Sequence, residues 1–225
     1  MNGFDAVLKV GGSLSRGPDL AHLGQALGRL GRHYRLLLVP GGGQFADLVR
    51  YHYQRYHLSE TMAHRMALLA MDQYGCLLAE LIPGSAAVQD LWSARQIADD
   101  GRLPILLPAA LVLQADPLPN SWEVTSDSLA AWIAGLAGAA CLVLLKDVDG
   151  LYPADALPGP PPEPYEDLDV GDLVRQPGGV DDYLAVVLMG LELETWAING
   201  QHPERLAELL ATGRTLGTCI RKRRS

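Results

Sequence analysis

The stretch that decides the fold class is Ala6-Val7-Leu8-Lys9-Val10-Gly11-Gly12-Ser13. It begins with a run that is apolar at every position except Lys9, and it ends in a turn of two glycines and a serine. A continuous apolar run, in contrast to an alternating one, is typical of a strand buried on both faces, as in a parallel sheet covered by helices. Outward from this stretch, similar runs recur at Leu36–Val39, Ile105–Leu107, Cys141–Leu145, Thr195–Ile198 and Thr218–Ile220.

Helical patterns fill the intervals between these strands. They lie at Asp19–Arg32, Gln44–Tyr56, Ser59–Leu81, Trp92–Asp99, Ser126–Leu136, Asp181–Leu191 and Pro203–Leu210. Alternating strands and helices predict an α/β protein, a three-layer αβα sandwich with a mainly parallel central sheet. The chain has 225 residues, of which 48% are apolar, so it can bury a sizeable core, and we predict a single domain over residues 1–225.

The composition excludes several functional classes. A formal net charge of -8 argues against nucleic-acid binding, because phosphate contacts need a basic face, and it gives no sign of a membrane partner. The three cysteines are far apart and form no Cys-x-x-Cys pair, so neither a disulfide framework nor a zinc site is expected. The first residues lack the basic segment and long apolar run of a signal peptide, which predicts a cytoplasmic protein.

Two segments are unusual in composition. Leu129–Leu145 reads LAAWIAGLAGAACLVLL and carries no charge, but it is shorter than the about 20 residues of a membrane helix. Glycines interrupt its alanine-rich first half, and its second half is rich in branched residues, so we predict a buried helix followed by a buried strand. Pro153–Pro164 has proline at six of its twelve positions, which predicts a surface excursion.

The candidate chemistry starts where the first predicted strand ends. Lys9 with Gly11, Gly12 and Ser13 places an ammonium and free backbone N–H groups at a strand-to-helix turn, where α/β sheets bind anions. An ordinary tight turn with a solvated lysine is the alternative. Only three of the eighteen basic residues are lysine, and two of these, Lys9 and Lys146, lie at strand ends. This usage indicates that a compact ammonium is needed at these two positions.

A second glycine-rich turn follows the next strand, at Pro40-Gly41-Gly42-Gly43. Three consecutive glycines are costly to order, so they indicate a close approach of the backbone to a ligand, although a plain turn stays open. Two such turns after successive strands predict two neighbouring anion sites. Transfer of a phosphoryl group between two phosphate-bearing ligands would use both.

Two polar clusters complete the set of candidate sites. The first cluster is Thr125-Ser126-Asp127-Ser128, in which a single residue is enough to cap the following helix. The presence of four such polar residues in a row predicts a further role, in which Asp127 pairs with Lys9 and Lys146. The run from Lys146 to Tyr152 is a strand end that turns into a polar loop, with an ordinary Asp-Gly turn as the alternative.

With these four elements in order, the sequence resembles the amino acid kinase family. The motifs that carry the resemblance are KVGGS, PGGG, TSDS and DVDGLY, with GTCI near the end of the chain. The resemblance implies an αβα fold and the use of ATP and Mg²⁺ to phosphorylate a carboxylate, a carbamate or a phosphate. It also implies an acceptor-binding part over about residues 1–125, a nucleotide-binding part over about residues 126–225, and a homo-oligomer.

The resemblance also implies roles for individual residues. The implied catalytic residues are Lys9, Asp127 and Lys146, although relatives often have threonine where Lys146 stands. The implied ATP-binding residues are Lys9, Gly11, Gly12, Ser13, Lys146, Asp147, Asp149, Gly150 and Tyr152. The implied acceptor-binding residues are Gly41, Gly42, Gly43, Arg50 and Thr125. No protein ligand is assigned to the metal, because the phosphates themselves can hold Mg²⁺.

Four stretches narrow the expected acceptor to a phosphate monoester that carries a small cation and gives a diphosphate. They are PGGGQFADLVR, MDQYG, SWEVTSDSL and INGQHPERL, which most resemble the branch of the family that phosphorylates an aminomethyl-bearing phosphate. Arg50 is expected to pair with the acceptor phosphate, and Asp47, Glu123 or Asp127 with the ammonium. Alternatives are ordinary surface ion pairs, an acceptor such as isopentenyl phosphate, UMP or a carboxylate, and a non-catalytic oxyanion-binding protein of the molybdenum-storage kind.

Overall fold

The computed structural model of the protein describes residues 3–17, 20–153, 163–174 and 178–223. Its described strands are β1 (Ala6–Val10), β2 (Leu36–Pro40), β3 (Ser85–Val88), β4 (Leu103–Leu106), β5 (Cys141–Lys146), β6 (Asp167–Asp169), β7 (Glu194–Asn199) and β8 (Thr218–Arg221). They form one sheet in the order β3-β4-β2-β1-β5-β7-β8-β6. Every neighbouring pair is parallel except β7 and β8.

The helices cover both faces of this sheet. They are α1 (Leu20–Leu30), α2 (Gly43–Tyr56), α3 (Glu60–Leu81), α4 (Leu91–Asp99), α5 (Ala109–Ala115), α6 (Ser126–Ala137), α7 (Val170–Leu173), α8 (Leu184–Met189) and α9 (Pro203–Thr212), with a short 3₁₀ helix at Gly12–Arg16. The apolar core has one cluster on each face. Val7 and Leu37 point into the cluster with α6, whereas Leu8 and Leu38 point into the cluster with α1 and α9. The predicted three-layer sandwich is therefore confirmed.

All six strands predicted from apolar runs are present, with ends that differ by up to two residues. Two edge strands were missed. β3 is a short run of small, half-exposed residues, and β6 has two aspartates among its three residues, so neither has the apolar pattern of a buried strand. The helix predicted at Asp181–Leu191 is confined to Leu184–Met189. α5 was also missed, because its seven residues are too few to show a helical period.

The uncharged run is a helix followed by a strand, as predicted. α6 ends where Gly138 adopts a φ of +67°, which a side chain would disfavour, and β5 begins three residues later. Within the described residues, no helix has the length and apolar character needed to cross a bilayer. The prediction for the proline-rich segment Pro153–Pro164 stays a prediction, because residues 154–162 of it lie outside the described residues.

The strand order explains where a ligand site must lie. β1 is flanked by β2 on one side and by β5 on the other, and all three run parallel. After β1 the chain continues to one side of the sheet, and after β5 it continues to the other side. This divergence opens a crevice at the carboxyl ends of the two strands. Lys9 and Lys146 stand at these ends.

Candidate active site

The carboxylate of Asp127 lies between two ammonium groups. Lys9 Nζ is 2.8 Å from Asp127 Oδ1, and Lys146 Nζ donates a hydrogen bond to Asp127 Oδ2 over 2.6 Å. The three residues come from β1, α6 and β5, and they are only 4%, 3% and 9% exposed for Lys9, Asp127 and Lys146. The predicted pairing of Asp127 with both lysines is confirmed, and it brings Lys146 into the same cluster as Lys9.

Burial sets the protonation of this cluster. Burial lowers the pKa of Lys9, and the Asp127 carboxylate opposes that shift. Burial alone would raise the pKa of Asp127, but the Lys146 and Lys9 ammoniums outweigh it and hold this pKa well below its ordinary value. Asp127 is therefore ionised at neutral pH. Two lysines beside one carboxylate make a basic centre inside the crevice, which suits an incoming phosphate.

The two glycine turns pack against each other. A Cβ on Gly12 would lie 2.6 Å from the backbone nitrogen of Gly43, and a Cβ on Gly41 would lie 3.0 Å from the nitrogen of Gly12. Gly11 is equally confined, because a Cβ there would lie 2.7 Å from the carbonyl oxygen of Leu145. The sequence explained these glycines by the approach of a ligand. The structure adds that the turns also need them to approach one another.

This packing brings two helix starts together. Gly12 begins the 3₁₀ helix and Gly43 begins α2, and the first amides of a helix have no acceptor within it. Gly43 also has a φ of +54°, a conformation that favours glycine. The oriented amides and the positive ends of the helices make the junction of the two turns a place for anions.

A cavity of about 260 Å³ adjoins the turns. Its wall includes Gly12, Ser13, Arg16, Gly42, Gly43, Ala46, Asp47, Arg50, Glu60, His64, Ala67, Leu68, Met71, Ser121, Trp122, Val124, Thr125, Ser126 and Leu129. Two guanidinium groups stand at its polar side. Asp47 pairs with Arg16 and, over 3.4 Å, with Arg50, whose guanidinium lies 5.0 Å from the centre of the Trp122 ring. The cavity therefore combines cations with an aromatic wall.

Several predicted acceptor residues meet at this cavity, and others do not. Arg50, Gly42, Gly43 and Thr125 line it. Gly41 is buried behind the turn.

The acidic residues behave differently. Asp47 pairs with two arginines, as the surface ion-pair alternative expects, and its predicted role toward an ammonium stays a prediction. Glu123 is exposed and does not line the cavity. The sequence analysis missed Arg16, Glu60 and His64, and only Arg16 had a local signal, as the basic residue that ends the turn after Gly-Gly-Ser.

The loop after β5 is tied to β7 and α9. Asp149 Oδ1 accepts hydrogen bonds from Asn199 over 2.9 Å and from Arg205 over 2.5 Å, and these bonds lower the pKa of Asp149. Asp147 is exposed beside it, and Tyr152 is half-buried. A Cβ on Gly150 would lie 2.6 Å from Thr218 Oγ1, so this glycine is required by packing. Within this loop, Asp147 and Tyr152 are therefore freer than Asp149 to contact a nucleoside.

The start of α6 is capped by a residue from a distant segment. Thr125 is the N-cap residue, but its side chain accepts no capping hydrogen bond from its own helix. Asp181 Oδ2 instead accepts from the backbone nitrogens of Thr125 and Ser128, each over 3.0 Å, and from Thr125 Oγ1 over 2.7 Å. Ser128 Oγ donates to Asp181 Oδ1. The expected capping of α6 by its own TSDS residues is wrong, because the carboxylate of Asp181 satisfies these donors.

Comparisons with known proteins agree with this architecture. The profile of the amino acid kinase family matches residues 6–189. A curated relative, the [5-(aminomethyl)furan-3-yl]methyl phosphate kinase of Methanocaldococcus jannaschii, is 30% identical over 206 residues, which cover 91% of this chain and 92% of the relative. Uridylate kinase of Methanospirillum hungatei is 25% identical over 236 residues, covering 95% and 93%.

Solved structures share the fold at lower identity. Uridylate kinase from Archaeoglobus fulgidus superposes with a TM-score of 0.75 at 21% identity and covers 96% of this chain and 99% of that one. UMP kinase from Bacillus anthracis superposes with a TM-score of 0.74 at 17% identity, covering 99% and 98%. The family profile spans most of the chain, including Lys9, Asp127 and Lys146; the chain belongs to the amino acid kinase family of phosphotransferases.

Proposed function

We propose that the protein is an ATP-dependent kinase that transfers the γ-phosphoryl group to a phosphate monoester. The observation that carries the proposal is the Lys9–Asp127–Lys146 cluster, which stands where two glycine turns meet and beside a cavity with two arginines. An ATP phosphate at one turn and an acceptor phosphate at the other would face each other across this cluster. Phosphoryl transfer asks little covalent chemistry of a protein and depends on positioning and charge.

Each member of the cluster has a distinct role in this proposal. Lys9 and Lys146 neutralise the charge that spreads over the oxygens of the transferring phosphoryl group. Asp127 has both carboxylate oxygens engaged by ammoniums and stays ionised, so it orients the lysines and is a poor proton acceptor. A phosphate monoester with a second pKa of about 6 is already a nucleophilic dianion at neutral pH, so no general base is required.

The nucleotide side of the site is built from residues after β1 and β5. Gly11, Gly12 and Ser13 offer the turn for the ATP phosphates. Asp147, Asp149, Gly150 and Tyr152 form the loop assigned to the nucleoside, where Asp149 acts through Asn199 and Arg205. ATP supplies the phosphoryl group and Mg²⁺ neutralises its charge. We assign Mg²⁺ to the nucleotide phosphates, because in kinase sites Mg²⁺ usually binds substrate phosphates and is not enclosed by protein ligands alone.

For the acceptor we propose [5-(aminomethyl)furan-3-yl]methyl phosphate, giving the diphosphate in the biosynthesis of a methanofuran-type cofactor. The support is the relative that acts on this compound, together with the chemistry of the cavity wall. Arg16 and Arg50 suit a phosphate, and the Trp122 ring suits a flat heterocycle. Glu60 lines the same cavity and forms no ion pair within the described residues, so we propose it as the partner of the ammonium ahead of Asp47, which already pairs with two arginines.

A second candidate acceptor is UMP, which is favoured by the match to uridylate kinase of Methanospirillum hungatei. The two acceptors differ in charge, because UMP lacks the ammonium that Glu60 would bind. A non-catalytic oxyanion-binding role would leave the paired lysines without a transferring group to stabilise. Isopentenyl phosphate and carboxylates remain useful members of a test panel.

The protein is incubated with ATP–Mg²⁺ and each acceptor of this panel. Turnover is measured as ADP release, and the product is identified by phosphorus NMR. We expect a diphosphate from the aminomethylfuran phosphate, and kcat/KM at least tenfold above that for UMP. Glu60→Gln is expected to remove that preference, and Glu80→Gln, at an exposed position of the same helix α3 that does not line the cavity, is the matched control. A hydroxylamine-trapped acyl phosphate from a carboxylate, without turnover of any phosphate monoester, would refute the proposal.

We also propose a homo-oligomer, which family membership supports. Met62, Leu69 and Leu77 lie about two turns apart along α3 and are 50%, 47% and 40% exposed, a stripe suited to burial against a second copy. Light scattering in solution tests this proposal. A monomeric mass at micromolar concentration would contradict it.

A further inference from the structure

The strongest unexplained arrangement outside the cluster is the carboxylate of Asp181. It lies 53 residues along the chain from Ser128 and accepts four hydrogen bonds from Thr125 and Ser128, two from backbone nitrogens and two from hydroxyls. These four donors belong to the N-cap residue and the third residue of α6. Asp127 lies between them in the sequence, so the backbone on both sides of Asp127 is fixed by one side chain.

The energetics favour a charged residue in this place. The first amides of α6 have no acceptors within the helix, and the positive end of the helix dipole points at Asp181. Ser128 is fully buried, so its hydroxyl cannot exchange its bond to Asp181 for one to water. Hydrogen bonds to a carboxylate are about twice as strong as those between neutral groups, so the start of α6 is held more firmly than an ordinary cap would hold it.

The segment that carries Asp181 also contacts the candidate nucleotide loop. A Cβ on Gly178 would lie 2.0 Å from the carbonyl oxygen of Tyr152, and Gly179 adopts a φ of +92° immediately before the segment turns toward α6. Residues 178–181 therefore bridge the loop after β5 and the start of α6. This bridge connects the nucleotide side of the site to the carboxylate that orders both lysines.

We propose that Asp181 is a positioning residue that acts through Asp127: it fixes the start of α6 so that the Asp127 carboxylate stands between Lys9 and Lys146. The inference rests on the proposed function only in assigning catalysis to these lysines. Asp181 touches neither lysine ammonium through a hydrogen bond in the described contacts. The charge of Asp181 also acts on Lys9 directly, less strongly than the charges of Asp127 and Lys146 do. Labelling of Lys146 is therefore the readout that reports the effect transmitted through the backbone of residues 125–128.

A test that needs no activity exploits the lysine content of the chain. Lys9, Lys146 and Lys222 are its only lysines, so trace acetylation with acetic anhydride followed by peptide mass spectrometry reports each amine separately. Lys222 pairs with Glu192 away from the site and serves as the internal reference. In the native protein Lys9 and Lys146 are buried and held against the Asp127 carboxylate, so the anhydride reaches them less readily than it reaches Lys222.

We expect Asp181→Asn to raise acetylation of Lys9 and Lys146 at least fivefold relative to Lys222, at a temperature well below its own Tm. The same variant is expected to lower kcat at least tenfold while KM for ATP and for the acceptor stays within threefold. Two matched controls isolate the cause. Asp90→Ala removes another carboxylate cap, at the start of α4, and Asp182→Asn removes the exposed neighbouring charge; both are expected to leave the labelling ratios unchanged.

Ser128→Ala is the substitute variant if Asp181→Asn does not fold, because it removes only one of the four hydrogen bonds to Asp181. It is expected to raise the acetylation of Lys9 and Lys146 as well, by a smaller factor. Unchanged labelling and kcat in folded Asp181→Asn, with only a lower Tm, would overturn the inference, as would an equal rise in Asp90→Ala. If the native protein transfers no phosphoryl group to any acceptor, the proposed function fails, and the labelling ratios still decide the role of Asp181.

Discussion

Replacing Asp127 with asparagine keeps the size of the side chain and removes the charge that separates two buried ammoniums. Lys9 and Lys146 lie 2.8 and 2.6 Å from its oxygens, and all three residues are at least nine-tenths buried. Removing one partner from a buried ion pair costs about 3–5 kcal/mol of the free energy of unfolding, because the remaining charge is left uncompensated. In a chain of this size each kcal/mol lowers Tm by about 2–4 °C, so we expect a fall of about 6–20 °C.

The catalytic loss is expected to be separate from this loss of stability. Removing a single preorganised donor to a transition state costs about 10²–10³ in kcat. Because Asp127 orders two such donors, we expect Asp127→Asn to lower kcat by about 10³-fold, or about 4 kcal/mol of transition-state stabilisation.

The assay is steady-state ADP release. Each variant is measured about 15 °C or more below its own Tm, so that it is folded during the assay. Asp90→Ala provides the control, because it removes an exposed helix cap far from the lysines at a cost of about 1 kcal/mol. A kcat within about tenfold of the native value, or 1.4 kcal/mol, together with the lower Tm would show that Asp127 serves the fold alone and would refute the reasoning.

Three further predictions address the remaining roles. Lys9→Ala and Lys146→Ala are each expected to lower kcat by several orders of magnitude in folded protein; a loss below tenfold in Lys146→Ala would leave Lys9 as the one catalytic lysine. Arg50→Gln is expected to raise KM for a phosphate acceptor about tenfold and to leave KM for ATP unchanged, and equal changes in both would place Arg50 outside the acceptor site.

The third prediction concerns stability in acid. The pKa of Asp127 in the folded protein lies below its ordinary value of 3.8. Ionised Asp127 therefore contributes its full share of the free energy of unfolding above about pH 4, and this share is lost as the pH falls toward the folded pKa. Asp127→Asn should remove that part of the pH dependence in urea unfolding, and an unaltered slope below pH 4 would contradict it.

The sequence predicted much of the fold because its signals are local. An apolar run followed by glycines marks a buried strand and the turn at its end, and this pattern located β1, β2 and β5 and their turns without any knowledge of their neighbours. The parallel arrangement then placed Lys9 and Lys146 at one edge of the sheet, which is why their pairing with Asp127 could be predicted. β3 and β6 lie at the edges, where burial is weak and the apolar signal is absent.

Other parts of the site depend on pairing between distant segments. The ion pair of Arg16 with Asp47 joins residues 31 apart, and the bonds of Asp181 to Thr125 span 56 positions. The contact of Arg50 with Trp122 likewise depends on how α2 lies against the loop before α6. Such contacts are set by strand order and helix packing, which the hydrophobic period of a single segment does not encode.

By itself, then, the sequence determined the class of fold, the edge of the sheet that holds the site, and the three charged residues at its centre, because strand burial and turn glycines are written in neighbouring residues. Only the tertiary structure decided that Asp47 pairs with two arginines, that Glu60 from α3 lines the cavity beside the glycine turns, and that Asp181 caps α6. The physical reason is that the energy of an ion pair depends on the distance between the two charges in space, which the separation of the two residues along the chain does not determine.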